Sequence, residues 1–151
     1  MRRLREAAKN APGKITVLGA IPPRDLGALM RKAHLFVLPS FFEGSPLVII
    51  EALASGCSVV ASDLPGIREL VSGLVGDWGE LFHLPPLQTV DRPFESDLPR
   101  LRDILAEALA RQMEKCTGTS PQDSGYIESI QGAYGWERVF HRTESLYRSL
   151  I

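Results

Sequence analysis

Cysteine and histidine are scarce in this chain of 151 residues, which has only Cys57, Cys116 and three histidines. Two cysteines cannot build a disulfide scaffold. No Cys or His recurs at the spacing of a metal site, so no metal is expected. Cys57 lies between a small-residue turn and an apolar run, and is expected as a reduced, half-buried thiol. Charge of one sign is also lacking. Seventeen Lys and Arg face eighteen Asp and Glu, a formal net charge of −1. That excludes a strongly basic face for nucleic acid or an acidic membrane. No apolar run is long enough for a membrane span. The basic start "MRRLREAAKN" has no apolar core behind it and does not read as a signal peptide. Internal repeats are absent. The expected class is a single cytoplasmic domain of ordinary composition.

What is present is an alternation of short apolar runs and helical patterns. Leu4 to Asn10 reads as the tail of a polar helix. Lys14 to Gly19, "KITVLG", reads as a strand closed by glycine. Pro22 to Ala33 reads as a helix opened by proline, with Leu26, Leu29 and Met30 on one face. Leu35 to Ser40 is an apolar strand, Pro46 to Ala54 a helix, and Ser58 to Ser62 a buried strand. Gly66 to Ser72 is a short helix, and Gly79 to Leu84 a last strand. Short apolar strands alternating with helices predict an α/β fold, a Rossmann-like parallel sheet of about four strands with flanking helices. Residues 1–84 form that part. Residues 85–133 add a proline-rich linker (Pro85 to Asp97), an amphipathic helix (Asp97 to Lys115) and a flexible break (Cys116 to Gly125). The helix carries Leu98, Leu101, Ile104, Leu105 and Ala108 on one stripe. Residues 134–151 add a final amphipathic helix of the same domain.

The stretch "FFEGSPLVIIEALASG", Phe41 to Gly56, puts one carboxylate, Glu51, inside the most apolar helix and another, Glu43, just before it. In open parallel sheets, ligands bind where strands end at their carboxyl side. Ser45 is a plausible N-cap and Pro46 the first helical residue. The free amides of Leu47 and Val48 would then point out of a helix start that suits phosphate. Glu51 sits about 7.5 Å further along the axis, and side chains tilt back toward the N-terminus. A helix apolar on most sides is expected to be buried, so Glu51 needs donors. They are an arginine of the protein, in a structural role on one wet strip, or the hydroxyls of a bound ribose. Other residues read plainly. His34 is a capping residue at a strand start, His83 at the end of the last strand is a surface residue in preference to one lining the cleft, and His141 is a solvated one. Asp63 and Glu69 flank a helix start, where acids suit the dipole.

"PSFFEGSPLVIIEALASGCSVVASDLPGIRELV" resembles the donor-sugar half of retaining glycosyltransferases with the two-domain GT-B fold, in particular the group often called family 4. Their hallmark is Glu, seven residues, Glu, then a small-residue turn and a "PVVAS/T" strand. Glu43 and Glu51 have that spacing, while Cys57-Ser58 departs from the usual residue and proline. The resemblance runs from about Lys14 to Leu84. "YGWERVFHRTESLYRSL" is similar to the family's final helix. The resemblance implies that Glu43 is the catalytic-site acid, contacting hydroxyls of the transferred sugar. It implies that Glu51 holds the ribose of the nucleotide. Gly44, Ser45, Pro46, Leu47 and Val48 would form the loop and helix start beside the sugar and diphosphate. Pro46 has no N–H, so the amides must come from Leu47 and Val48. Pro39 and Ser40 would shape the wall near the base. The implied reaction is glycosyl transfer from a nucleotide-sugar donor with retention, without a metal or other cofactor.

Where the chain departs from the family also carries an expectation. The acceptor-binding domain is absent, and so is the "GR…K" segment whose cations neutralise the donor diphosphate. Arg2, Arg3 and Arg5 lie on a helix that follows those parts in relatives. The sequence therefore reads as the last part of a donor domain. A chain or domain supplying the missing half is the expected partner, with attachment at a membrane surface through that half. The acceptor is unknown and no nucleic acid is expected. The alternative is a non-catalytic or truncated module without independent activity.

Overall fold

The computed structural model describes residues 2–11, 13–72, 74, 78–116 and 126–150. Its centre is a three-stranded parallel sheet. Strand β1 (Leu35–Leu38) pairs with β2 (Ser58–Ser62), in register Leu35 to Ser58, and β2 pairs with β3 (Gly79–Phe82), in register Val59 to Gly79. The order β1-β2-β3 puts β2 in the middle. All five of its residues are buried, as a parallel strand covered on both faces requires.

Alternation along β2 divides the core in two. Val59 and Ala61 join a cluster with Ile49, Ala52 and Leu53 of α3 (Leu47–Ala54) and Ile67 and Val71 of α4 (Pro65–Val71). Met30 of α2 (Pro23–Met30) and Ile130 of α6 (Tyr126–Tyr134) complete it. Val60 points the other way, to Phe82 and to Ala108 of α5 (Leu98–Cys116). The period of two on a strand thus supplies both layers of an α/β sandwich. Helix α5 is oriented by the stripe Leu101, Ile104, Leu105 and Ala108, while Leu98, expected on the same stripe, is 48% exposed. Arg111 on α5 donates to Glu80 on β3 at 2.6 Å.

The turn from α3 into β2 is built by a glycine stop. Gly56 takes φ 86°, and its N–H bonds the Leu53 carbonyl while the Cys57 N–H bonds that of Ala52. This pair of bonds closes the last helical turn and reverses the chain. Cys57 is not half-buried but fully so, at 1% exposure. Its thiol donates to the Met30 carbonyl at 3.1 Å, and burial pushes its pKa up.

Several expectations are corrected. Lys14 to Gly19 is not a strand. Among the described residues the sheet has three strands with β1 at one edge, and Ile15 and Leu18 are 56% and 53% exposed. β-Branched residues favour a pleated surface only where a neighbour offers one. Residues 85–97 are more than a linker. β4 (Leu87–Thr89) and β5 (Arg92–Pro93) form a small antiparallel pair, followed by a 3-10 turn at Glu95–Asp97. The closing helix is present as α7 (Trp136–Ser149), and a further helix not expected from the sequence, α6, precedes it; the two are divided at Gly135, which is extended and caps α7. The Tyr134 hydroxyl donates to the Leu70 carbonyl and ties α6 to α4. The polar first helix is present as α1 (Arg2–Lys9). Most of the break at Cys116 to Gly125 lies outside the described residues, since only Cys116 is described.

Candidate functional site

The site is built at the carboxyl ends of β1 and β2. After Leu38 the chain runs through Pro39 to Pro46 without regular structure and enters α3. Ser40 Oγ donates to Glu43 Oε1 at 2.7 Å, a short bond that bridges three residues and fixes the carboxylate relative to the end of β1. Oε2 of Glu43 has no partner among the described residues.

The helix start differs from expectation by one residue. Pro46, buried and extended, is the N-cap and Leu47 the first helical residue. Ser45 is exposed and makes no capping hydrogen bond. Proline's fixed φ suits the entry, and its carbonyl already accepts the Ile49 N–H at 3.0 Å. That leaves the amides of Leu47 and Val48 as the open donors of the helix start.

Glu51 is exposed rather than buried. Helix α3 buries Ile49, Ala52 and Leu53, but not its whole circumference. Leu47, one turn before Glu51, is 63% exposed. Positions four apart share a face, so Leu47 and Glu51 mark one open strip that runs back to the helix start. Burial therefore imposes no partner on Glu51, and no arginine pairs with it among the described residues. Its carboxylate is free to accept two hydrogen bonds from outside the chain. Gly44 is also exposed, and Val48 is half-buried beneath the strip.

A second group of side chains stands at the same edge of the sheet. Asp63, at the end of β2, has a side chain only 8% exposed. Arg68 on α4 reaches it at 2.7 Å and His83, just past β3, at 2.8 Å through Nδ1. Sequence reasoning assigned Asp63 to the helix dipole and favoured the surface over the cleft for His83. His83 is indeed 88% exposed, yet the two are joined. Only the three-dimensional closeness of the β2 and β3 ends could reveal this. His141 is exposed, as expected. His34 contributes its carbonyl, which accepts the Ser58 N–H at 2.9 Å, rather than a side-chain cap.

On the α5 side, an apolar cavity of about 310 Å³ opens between Pro39, Phe41, Phe82, Leu84 and Leu101. Pro39 contributes to its wall, whereas neither glutamate lines it. No group of three metal-ligating side chains occurs among the described residues. No helix among them is long and apolar enough to cross a membrane.

The chain is similar in sequence to several curated proteins. O-antigen chain mannosyltransferase B of Escherichia coli is 36% identical over 109 residues, covering 70% of this chain and 28% of the relative. Alpha-maltose-1-phosphate synthase of Mycobacterium tuberculosis is 29% identical over 146 residues, covering 96% of this chain and 35% of the relative. Phosphatidyl-myo-inositol mannosyltransferase of Mycolicibacterium smegmatis is 35% identical over 79 residues, covering 52% of this chain and 20% of the relative. The chain thus spans between 20% and 35% of the length of these relatives. The family model described as "Glycosyl transferases group 1" matches residues 1–85, more than half of the chain, and the chain belongs to that family.

Proposed function

We propose that this chain forms the donor side of a glycosyltransferase that moves a glycosyl unit from a nucleotide sugar to an acceptor, with retention at the anomeric carbon. The observation that carries the reading is the β1–α3 connection. It carries a Ser40-anchored Glu43, two open amides and the exposed Glu51, which supports the reading. Each group has a matching part of a nucleotide sugar. Glu43 can accept from a sugar hydroxyl through Oε2 while Ser40 holds Oε1. The amides of Leu47 and Val48, at the positive end of α3, suit phosphate oxygens. Glu51 can accept from both hydroxyls of a ribose, a geometry that one carboxylate satisfies well. Gly44 and Ser45, both exposed, would leave room for the sugar. Retention and the identity of the donor follow from family resemblance. No resident cofactor is part of the reading, because the donor is the substrate.

A second reading, a module without independent turnover, rests on one specific observation. Between Leu35 and Ser72 the single cation is Arg68, and it is engaged with Asp63. The site segment therefore brings no free cation to a leaving diphosphate, although such charge stabilisation is usually a large term in catalysis. The two readings agree on donor binding and differ on turnover by the chain alone. The "GR…K" segment of a donor domain would supply the cations, and an acceptor-binding domain the acceptor site.

The test is titration of the chain with UDP, GDP, UDP-glucose and GDP-mannose, followed by heat release. Glu51→Gln should weaken binding of the tightest nucleotide by roughly tenfold or more, the effect of losing a charged hydrogen bond. Glu43→Gln should leave the nucleoside diphosphate nearly unchanged and weaken only the sugar form. Equal, small effects of both substitutions would remove the ribose role from Glu51. Robust glycosyl transfer by the purified chain alone would overturn the second reading and its charge argument.

A further inference from the structure

Glu43 is anchored on one side by Ser40, but the loop that carries it is also seated from outside. The first turn of α4 lies against it. A Cβ placed on Gly66 would stand 1.5 Å from the Gly44 carbonyl oxygen, 2.6 Å from its carbon and 3.2 Å from the Glu43 carbonyl oxygen. All three are backbone atoms, so no side-chain rotation can relieve the clash. The backbone of Gly66 is not in the left-handed region, and its requirement is space rather than dihedral freedom. The hydrogen that stands where a Cβ would be points at the Gly44 carbonyl, a close backbone approach of the kind glycine permits. Helix α4 is itself fixed. Ile67 and Val71 are buried in the core, and Arg68 is tied to Asp63 at the end of β2.

We infer that Gly66 is a positioning residue for Glu43: it seats the Glu43–Gly44 backbone against α4 and so sets where the carboxylate meets the sugar. This inference rests on the reading above for the role of Glu43, but the seating itself does not. Any side chain at position 66 must push the Gly44 carbonyl outward by roughly 2 Å to reach ordinary contact, because the buried side of α4 cannot retreat. A displacement of about 1 Å is enough to cost a site on the order of a hundredfold. The effect should be selective. Leu47, Val48 and Glu51 ride on α3, which is held by Ile49, Ala52 and Leu53, so nucleotide contacts should survive while the sugar contact is lost.

The test has three arms. In the wild-type chain, NMR should show a cross-relaxation peak between the Gly66 α-hydrogens and the Ser45 amide hydrogen. Its absence in the folded chain would overturn the seating without any mutation. Next, Gly66→Ala is compared with Gly132→Ala, a control on α6 where an added methyl meets nothing within 4 Å. Gly66→Ala should speed hydrogen exchange of the amides of residues 40–45, and the control should not. Unchanged exchange in a folded Gly66→Ala chain would overturn the inference, and if that variant does not fold the NMR arm decides. Finally, the preference for UDP-glucose over UDP, and for GDP-mannose over GDP, is measured in both. Gly66→Ala should cut the preference by roughly tenfold, with affinity for the nucleoside diphosphate alone kept. Loss of both affinities together would mean a structural role and overturn the positioning role. A wild-type chain that binds none of these probes would refute the donor reading, and with it the sugar-positioning role, while the first two arms still decide the seating.

Discussion

Strand β2 and helix α7 are both rich in apolar residues, and they meet opposite fates. Every residue of β2 is buried, between two clusters that use alternate side chains. No residue of α7 is buried, although it carries Trp136, Val139, Phe140, Leu146 and Tyr147, with exposures from 45% to 75%. Trp136 and Phe140 lean on each other with ring centroids 6.1 Å apart, and that is the extent of the aromatic packing among the described residues. The difference teaches what an apolar pattern means. It states that a face can be buried, and it does not say against what. The same lesson applies at Ile15 and Leu18, whose strand-like sequence finds no neighbour. The candidate site lies where the core is closed on one side and open on the other, which is where a helix can be rigid yet present a free Glu51.

The comparison is broken most directly by truncating one residue from each region. Leu53 is fully buried between α3 and β2, and Leu53→Ala should cost about 2–5 kcal/mol, the sum of lost transfer energy and a cavity. Phe140 is 67% exposed, and Phe140→Ala should stay within about 0.5 kcal/mol despite removing a larger group. Urea unfolding followed by far-ultraviolet circular dichroism gives both values. A cost above 2 kcal/mol at Phe140 would mean that α7 is covered in solution.

Ion pairs allow a second, smaller contrast. Asp63 sits at the buried end of β2 and receives Arg68 and His83, whereas Glu144 pairs with Arg148 along the exposed side of α7 at 2.8 Å. The partners of Asp63 are 61% and 88% exposed, so solvent screens much of the attraction. Asp63→Ala should still cost about 1 kcal/mol, because it removes charge-assisted bonds between three elements. Glu144→Ala should cost no more than about 0.5 kcal/mol, the usual value of such a helical pair. Salt should reduce the second more than the first. Equal costs would mean that the depth of Asp63 confers no advantage.

How much of this was legible in the sequence follows the same division. The elements β1, α3, β2, α4 and β3 appear within one or two residues of their expected limits. Each is a short apolar run with a local stop or start, such as the Ser55-Gly56 turn or the proline that opens α4. The spacing of Glu43 and Glu51 was also legible, but not the exposure of Glu51. Composition suggested a helix apolar all round, and only packing shows that Leu47 and Glu51 share the side left open. Helix α6 was missed because two glycines and a serine within "YIESIQGAYG" weaken its helical pattern. Its Ile130 is nevertheless 1% exposed, since tertiary contact outweighs propensity. The contact of Gly66 with Gly44 joins residues far apart in sequence through backbone atoms, and no side-chain pattern encodes it.

Cys57 gives a pH-dependent version of the core contrast. Burial raises the pKa of its thiol in the folded chain above the ordinary value of 9.0. Below the unfolded-state pKa both states hold the proton, and the contribution is fully present. As pH rises past that value the unfolded chain ionises first, so stability is lost progressively until the folded thiol also ionises. Urea midpoints of the wild type should therefore fall faster between pH 8 and about 10 than those of Cys57→Ala. Parallel curves would show that the thiol is open to water in the folded state.

The smallest expected effect concerns Ser62, the last residue of β2. Its hydroxyl is fully buried and has no hydrogen-bond partner among the described residues. Burying an unpaired hydroxyl carries a desolvation penalty that the folded chain bears and the unfolded chain does not. Ser62→Ala removes that penalty and leaves a gap of one oxygen atom. The two terms nearly cancel, and the net change should lie between zero and about 0.5 kcal/mol of added stability. The matching change on α7 is at Ser149, whose exposed hydroxyl donates to the Leu146 carbonyl at 2.8 Å, and the substitution is Ser149→Ala. An exposed hydroxyl has solvent as an alternative partner, so that substitution should be neutral or slightly favourable to the helix. The informative quantity is therefore the sign at position 62. Added stability means the hydroxyl is unpaired in the free chain. A loss of more than about 1 kcal/mol means that an ordered water satisfies Ser62 at the carboxyl end of β2, next to Asp63. That outcome would place a polar, hydrated pocket at the edge of the core beside the candidate site, and would make the boundary between buried centre and open surface less sharp than the packing suggests.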